Sequence, residues 1–89
     1  MPQRTVTVAS KIGLHARPAA VFVNKAKELP VPVTLAKDGG APVNAKSLLA
    51  IMTLDVRGGE RVTLAAAEGQ GAAAAVDELA DLLETDFDG

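Results

Sequence analysis

The apolar residues of this chain change their spacing repeatedly between Arg4 and Glu84, and that succession of periods constrains the fold more than any other feature. "RTVTVA" (Arg4–Ala9) alternates β-branched residues, which predicts a half-buried strand. From Ala16 to Leu29 the positions Ala19, Phe22, Val23, Ala26 and Leu29 recur at three- and four-residue spacings, an amphipathic helix that Pro30 and Pro32 bring to an end. "VPVTLAK" reads as a strand, "DGG" as a tight turn, and "APVN" as a short second arm placed at or near an edge by Pro42. "SLLAIMTL" opens on a serine suited to a helix N-cap and is apolar at nearly every position, which predicts a short helix. "RGGE" is a turn and "RVTLAAA" a strand. In the last helix, Ala72–Glu84, residues Ala72, Ala75, Val76, Leu79 and Leu83 share one face, while Asp77, Glu78, Asp81 and Glu84 lie on the other. Gly69 and Gly71 precede it, and the closing "TDFDG" is expected to fray. The order β-α-β-β-α-β-α argues for an α+β domain, one antiparallel sheet with helices on one face. Spacing does not fix the order of the strands.

Composition narrows the chemistry. Residues 1–89 are expected to form one domain. Aromatic residues are 2% of the chain, namely Phe22 and Phe87, so Val, Leu, Ile and Ala must build the core. The absence of cysteine removes disulfides, zinc–thiolate sites and thiol nucleophiles. A single histidine without cysteines offers no metal site. "MPQRTVTVAS" lacks the apolar run of a signal peptide, and no stretch reaches membrane-spanning length, so a cytoplasmic setting without membrane insertion is expected. Charge is divided along the chain. Residues 1–46 hold Arg4, Lys11, Arg17, Lys25, Lys27, Lys37 and Lys46 against Glu28 and Asp38, a balance of +5, and residues 47–89 balance at −7. The basic half, which includes the histidine, would attract a phosphate or an acidic partner; the plainer alternative is a solvated surface of mixed charge. Few aromatic residues and a net charge of −2 argue against nucleic acid as a partner.

That histidine stands in "GLHARPAA" (Gly13–Ala20), between a glycine-containing turn and the first amphipathic helix. Pro18 suits a first helical turn, where its missing N–H forfeits no bond. His15 therefore falls at or beside the N-cap. Unpaired amides and the helix dipole make such a position an anion site. Arg17 adds a guanidinium suited to phosphate oxygens. A nucleophilic imidazole there could accept a phosphoryl group, and the positive field favours the neutral ring. A surface or capping histidine is the simpler alternative.

"GLHARPAA" resembles the active-site signature of the HPr family, the histidine-containing phosphocarriers of the bacterial phosphoenolpyruvate:sugar phosphotransferase system. "NAKSLLAIMTL" resembles the family's second signature, a serine opening a short helix. The resemblance runs nearly the whole length. It implies an open-faced β-sandwich, four antiparallel strands with three helices on one side. It implies that His15 accepts a phosphoryl group on Nδ1 from phospho-enzyme I and donates it to enzyme IIA domains of sugar permeases. Arg17 would neutralise the phosphate, the Ala16 and Arg17 amides would assist, and Pro18 would fix the start of the helix. The protein would be a monomeric carrier rather than a turnover enzyme, with no cofactor or metal of its own.

Ser47 has two readings. As an N-cap it is worth about 1 kcal/mol. By resemblance it matches the serine that a dedicated kinase modifies in many Gram-positive members, which implies a serine kinase/phosphorylase and a catabolite-control regulator as further partners. The preceding "KDGGAPVNAK" is about one residue longer than in many relatives, and Ala41 and Ala45 depart from the commoner residues there. At about 100° per residue, Leu48, Leu49, Ile51, Met52 and Leu54 spread over about 220°, more than a core-facing stripe needs. Part of this helix is therefore expected to be exposed as a docking patch; burial of all five is the alternative. The resemblance turns Leu48, Leu49 and Met52 outward and Ile51 and Leu54 inward. On the first helix Arg17, Ala20, Asn24 and Lys27 share a face at three- and seven-residue spacings, a second half for the same docking surface. Asn24 stands where the family often has a basic residue or glutamine.

Overall fold

A computed structural model describes residues 2–9, 13–14, 16–67 and 69–85. Phe87 and the rest of the expected frayed end, beyond Thr85, lie outside them. The elements follow in the expected order: β1 (Gln3–Thr7), α1 (Ala16–Glu28), β2 (Val33–Lys37), β3 (Val43–Asn44), α2 (Leu48–Leu54), β4 (Arg61–Ala66) and α3 (Ala72–Glu84). They build an α+β fold around one antiparallel sheet with strand order β1-β4-β2-β3. β4 is central, pairing Val6 with Val62 on one side and Leu64 with Leu35 on the other. β3 is a two-residue edge strand beginning just after Pro42, as that proline's missing donor requires. The Asp38–Gly40 turn before it closes through a Gly40 N–H donated to the Lys37 carbonyl at 2.8 Å.

Alternation along the strands divides the sheet into two unlike faces. Val6, Val33, Leu35, Val62, Leu64 and Ala66 are buried beneath the helices. The opposite face carries Thr5, Thr63, Thr34 and Ala36, with Thr5 and Thr63 hydroxyls 2.8 Å apart across β1 and β4. The helices thus cover one face and leave the other open. α3 packs on β1 and β4, α2 on β2 and β3, and α1 against both other helices. The stripe read from α1 is the buried one: Ala19, Phe22, Val23 and Ala26 are in the core, with Leu29 packed at its edge. Each large aliphatic side chain so buried contributes about 1.5–3 kcal/mol.

The helix ends explain the boundaries. α1 stops at Glu28; Lys25 and Lys27 stand in its last turn, and Lys46 Nζ donates to the Leu29 carbonyl at 3.0 Å, cations placed at the negative end of the dipole. Ser47 caps α2, its Oγ accepting the Ala50 N–H at 3.2 Å. Asp55 closes α2 in the left-handed region at φ 57°. Gly71, at φ 85°, opens α3 without a side-chain cap.

Candidate functional site

α1 begins at Ala16, the residue after His15 in the sequence. His15 itself lies outside the described residues, and the site is defined by what flanks it. No acidic residue occupies the first turn of α1, so its positive end is not neutralised from within the helix. Pro18 is the third helical residue and is buried, at a position whose N–H has no intrahelical acceptor. Arg17 is exposed and forms no ion pair among the described residues. A cation and amides without intrahelical acceptors therefore meet at the start of this helix, the donor set an anionic group needs. Among the described residues no group of three or more His, Cys, Asp or Glu could hold a metal ion.

The approach from the N-terminal side is fixed by a distant segment. Gly13 sits at φ +80°, and a β-carbon there would lie 2.6 Å from Arg57 Cα and overlap the Val56 carbonyl oxygen. Leu14 is fully buried and donates its N–H to that same carbonyl at 2.9 Å. The loop between α2 and β4 is thus the platform on which Gly13 and Leu14 rest. Sequence reasoning found Gly13 but not Val56 and Arg57, because nothing in the pattern of "DVRGGE" refers to a segment so far away in the chain. Within the platform, Glu60 Oε1 accepts the Arg57 N–H at 2.8 Å, and Oε2 lies 3.3 Å from Lys37 Nζ. The Arg57 amide, ahead of the Lys37 charge, holds the Glu60 carboxyl below its ordinary range, so it is ionised at neutral pH.

The outward faces of α1 and α2 carry the other residues singled out from sequence. On α1, Asn24 and Lys27 are exposed and Ala20 is half-buried. On α2, Leu49 is 78% exposed, Met52 42% and Leu48 41%, while Ile51 is wholly buried. Burial of all five apolar residues is thereby excluded. Leu54 is only half-buried: with Val43, Ser47, Leu49 and Ala50 it lines an open groove of about 550 Å³ between β3 and α2. α1 also presents Val21, 37% exposed, which the sequence reading passed over. Its signal was its place just outside the buried stripe, four residues after Arg17. Ser47 is half-buried and occupied as a cap, so its structural reading holds.

A family model described as "PTS HPr component phosphorylation site" matches residues 2–85. The phosphocarrier protein HPr of Streptomyces coelicolor is 49% identical over 83 residues, 93% of this chain and 88% of that protein. The HPr-like protein Crh of Bacillus subtilis is 46% identical over 80 residues, 90% of this chain and 92% of its own length. The crystal structure of HPr-C-His from Thermoanaerobacter tengcongensis matches with a TM-score of 0.90 at 42% identity, over 100% of this chain and 98% of that one. Alike in sequence and in fold over nearly its whole length, the chain belongs to the HPr family of phosphocarrier proteins of the phosphotransferase system.

Proposed function

We propose that this phosphocarrier takes a phosphoryl group from phospho-enzyme I onto His15 Nδ1 and passes it to enzyme IIA domains of sugar permeases. The bond from phosphorus to the donor breaks as the phosphorus–nitrogen bond forms, and delivery reverses the sequence. The observation that carries this reading is the first turn of α1, which directly follows His15 with amides that lack intrahelical acceptors, no acid of its own, and an Arg17 that forms no ion pair among the described residues. The Ala16 and Arg17 amides and the Arg17 guanidinium stabilise the charge that arrives with the phosphate. Pro18 holds the turn in register. The protein is a carrier that a partner must reset, it needs no cofactor, and it works as a monomer in the cytoplasm.

Docking uses the outward faces of α1 and α2: Ala20, Asn24 and Lys27 with Leu48, Leu49 and Met52. The exposed leucines supply an apolar centre and the cations a charged rim. Regulation at Ser47 by a serine kinase/phosphorylase, with a catabolite-control regulator as reader, is the finer part of the proposal. Its support is position. A phosphate on the Ser47 hydroxyl would sit at the positive end of α2, beside exposed Leu48 and Leu49.

The test mixes the protein with phosphoenolpyruvate, magnesium and a competent enzyme I. The expected result is a mass gain of one phosphate, labile in acid, absent in His15→Ala. Arg17→Met should slow uptake by about tenfold or more, the effect of losing one charge-assisted contact to the transferring group. Failure of the wild type to take up phosphate would sink the reading. An acid-stable adduct formed with a serine kinase and ATP, and lost in Ser47→Ala, would establish the regulatory part.

A further inference from the structure

The residues that lead into His15 are held by a loop that needs holding itself. Between Asp55 and Glu60 the chain contains Gly58 and Gly59, with Gly59 at φ +86°, so the backbone there has little stiffness of its own. Its ties are specific. Glu60 N–H donates to the Arg57 carbonyl at 3.1 Å, while Glu60 Oε1 accepts the Arg57 N–H at 2.8 Å, a reciprocal closure of the turn. Gly59 N–H donates to the Val8 carbonyl at 2.9 Å, and Val8 N–H to the Glu60 carbonyl at 3.0 Å, which joins the turn to the chain just beyond β1.

One side chain spans the two ends of this loop. Lys37 is the last residue of β2, and Val33, Leu35 and Lys37 share the face of the strand turned toward the helices. Its Nζ donates to the Asp55 carbonyl at 3.1 Å, at the negative end of α2, and lies 3.3 Å from Glu60 Oε2. Both side chains are about one-third exposed, at 31% and 36%. The path from this pair to the site is continuous: Lys37 and Glu60 fix Asp55 to Glu60, Arg57 limits Gly13, Val56 holds the Leu14 N–H, and Leu14 directly precedes His15 in the sequence.

We infer that Lys37 and Glu60 are positioning residues for phosphoryl transfer, bracing the α2–β4 loop so that Gly13 and Leu14 deliver the phosphate acceptor to the start of α1. The inference rests on the phosphocarrier reading given above. Neither residue touches the transferring group; each acts through the Val56–Arg57 backbone. A partly exposed ion pair adds little to global stability. A displacement of about 1 Å at a reacting atom can nonetheless cost on the order of 100-fold in rate. The two effects therefore separate, and the signature of the brace is a rate defect in a folded protein.

The experiment measures steady-state phosphoryl uptake from phospho-enzyme I by wild type, Lys37→Met, Glu60→Gln, the double variant and Lys37→Arg, with hydrogen exchange at the Leu14 amide. Glu60→Gln keeps an acceptor for the Arg57 amide and removes only the charge. The expected result is a kcat lowered about 5- to 30-fold in both single variants with KM within about twofold. The double variant should be little worse than either single one. Leu14 should exchange faster in all three, and Lys37→Arg, which can reach both oxygens, should restore the rate to within about threefold. Unchanged kcat, a defect in KM alone, or unaltered Leu14 exchange overturns the brace. A wild type that accepts no phosphate brings down the phosphocarrier reading and the brace together, whereas an active wild type with equally active variants brings down the brace only.

Discussion

At Gly13 the backbone takes φ +80°, and the space a side chain would need is filled by the Val56 carbonyl and Arg57 Cα. Gly59 has a similar φ of +86° but nothing within 4 Å of the corresponding position. The pair separates conformational strain from steric conflict. Gly59→Ala should cost only the left-handed penalty, about 1 kcal/mol. Gly13→Ala adds overpacking against backbone that cannot rotate away, and about 3 kcal/mol in total is expected. Urea unfolding of the two variants checks this; equal losses would mean that the Val56–Arg57 contact is not rigid. Legibility at this scale follows the same division. The motif "GLHARPAA" exposed Gly13, Pro18 and Arg17 to inspection because each acts locally, on its own turn or its own helix end. What Gly13 rests against is a contact between distant segments, and no local rule encodes it.

The seven residues of α2 show what an angular argument decides and what it leaves to packing. An apolar arc of about 220° cannot all face inward, and three of its five residues are indeed exposed. Which three depends on where the helix lies. α2 is wedged between α1 and the β2–β3 edge, so Ile51 enters the core and Leu54 stays at the groove beside β3. The strand order was equally out of reach, since the alternation in "RVTLAAA" marks an inner face but does not name its neighbours. The helix also sets up a contrast in stability and function. Ile51→Ala leaves a cavity in a wholly buried position and should cost about 3 kcal/mol in urea unfolding. Leu49→Gln, at 78% exposure, should stay within about 0.5 kcal/mol of wild type. If the outward face of α2 is where partners dock, Leu49→Gln should weaken binding to enzyme IIA about tenfold in titration calorimetry. Unchanged binding would move the docking surface off this helix.

Over the whole molecule, the charge division seen in the sequence does not become two charged lobes, because the fold brings the halves together. Arg4, on the helix-facing side of edge strand β1, reaches Asp77 at 3.4 Å, Asp81 at 3.2 Å and Glu84 at 2.7 Å along α3. Lys25 lies 3.0 Å from Glu78, and Lys37 lies 3.3 Å from Glu60. Hydrogen bonding to Asp81 above all raises the affinity of Arg4 for its proton, and Glu78 does the same for Lys25, so both stay cationic through the physiological range. A charged residue facing inward on an edge strand also discourages pairing with another chain. The cations left without an acidic partner among the described residues include Arg17 and Lys27, both exposed on α1. Steering by the net charge of −2 and steering by this local field therefore make different predictions. Arg4→Met and Lys27→Met change the net charge equally. If the local field governs approach to a negatively charged partner, Lys27→Met should slow stopped-flow association about two- to fivefold at 50 mM salt, and Arg4→Met should leave it nearly unchanged. The Lys27 effect should vanish near 1 M salt, where the screening length is about 3 Å. Arg4→Met should instead lower the urea midpoint, and more so at low salt than at high, since its partners are carboxylates of its own chain. Equal slowing of association by both variants would show that overall charge, and not the local field of α1, draws the partner in.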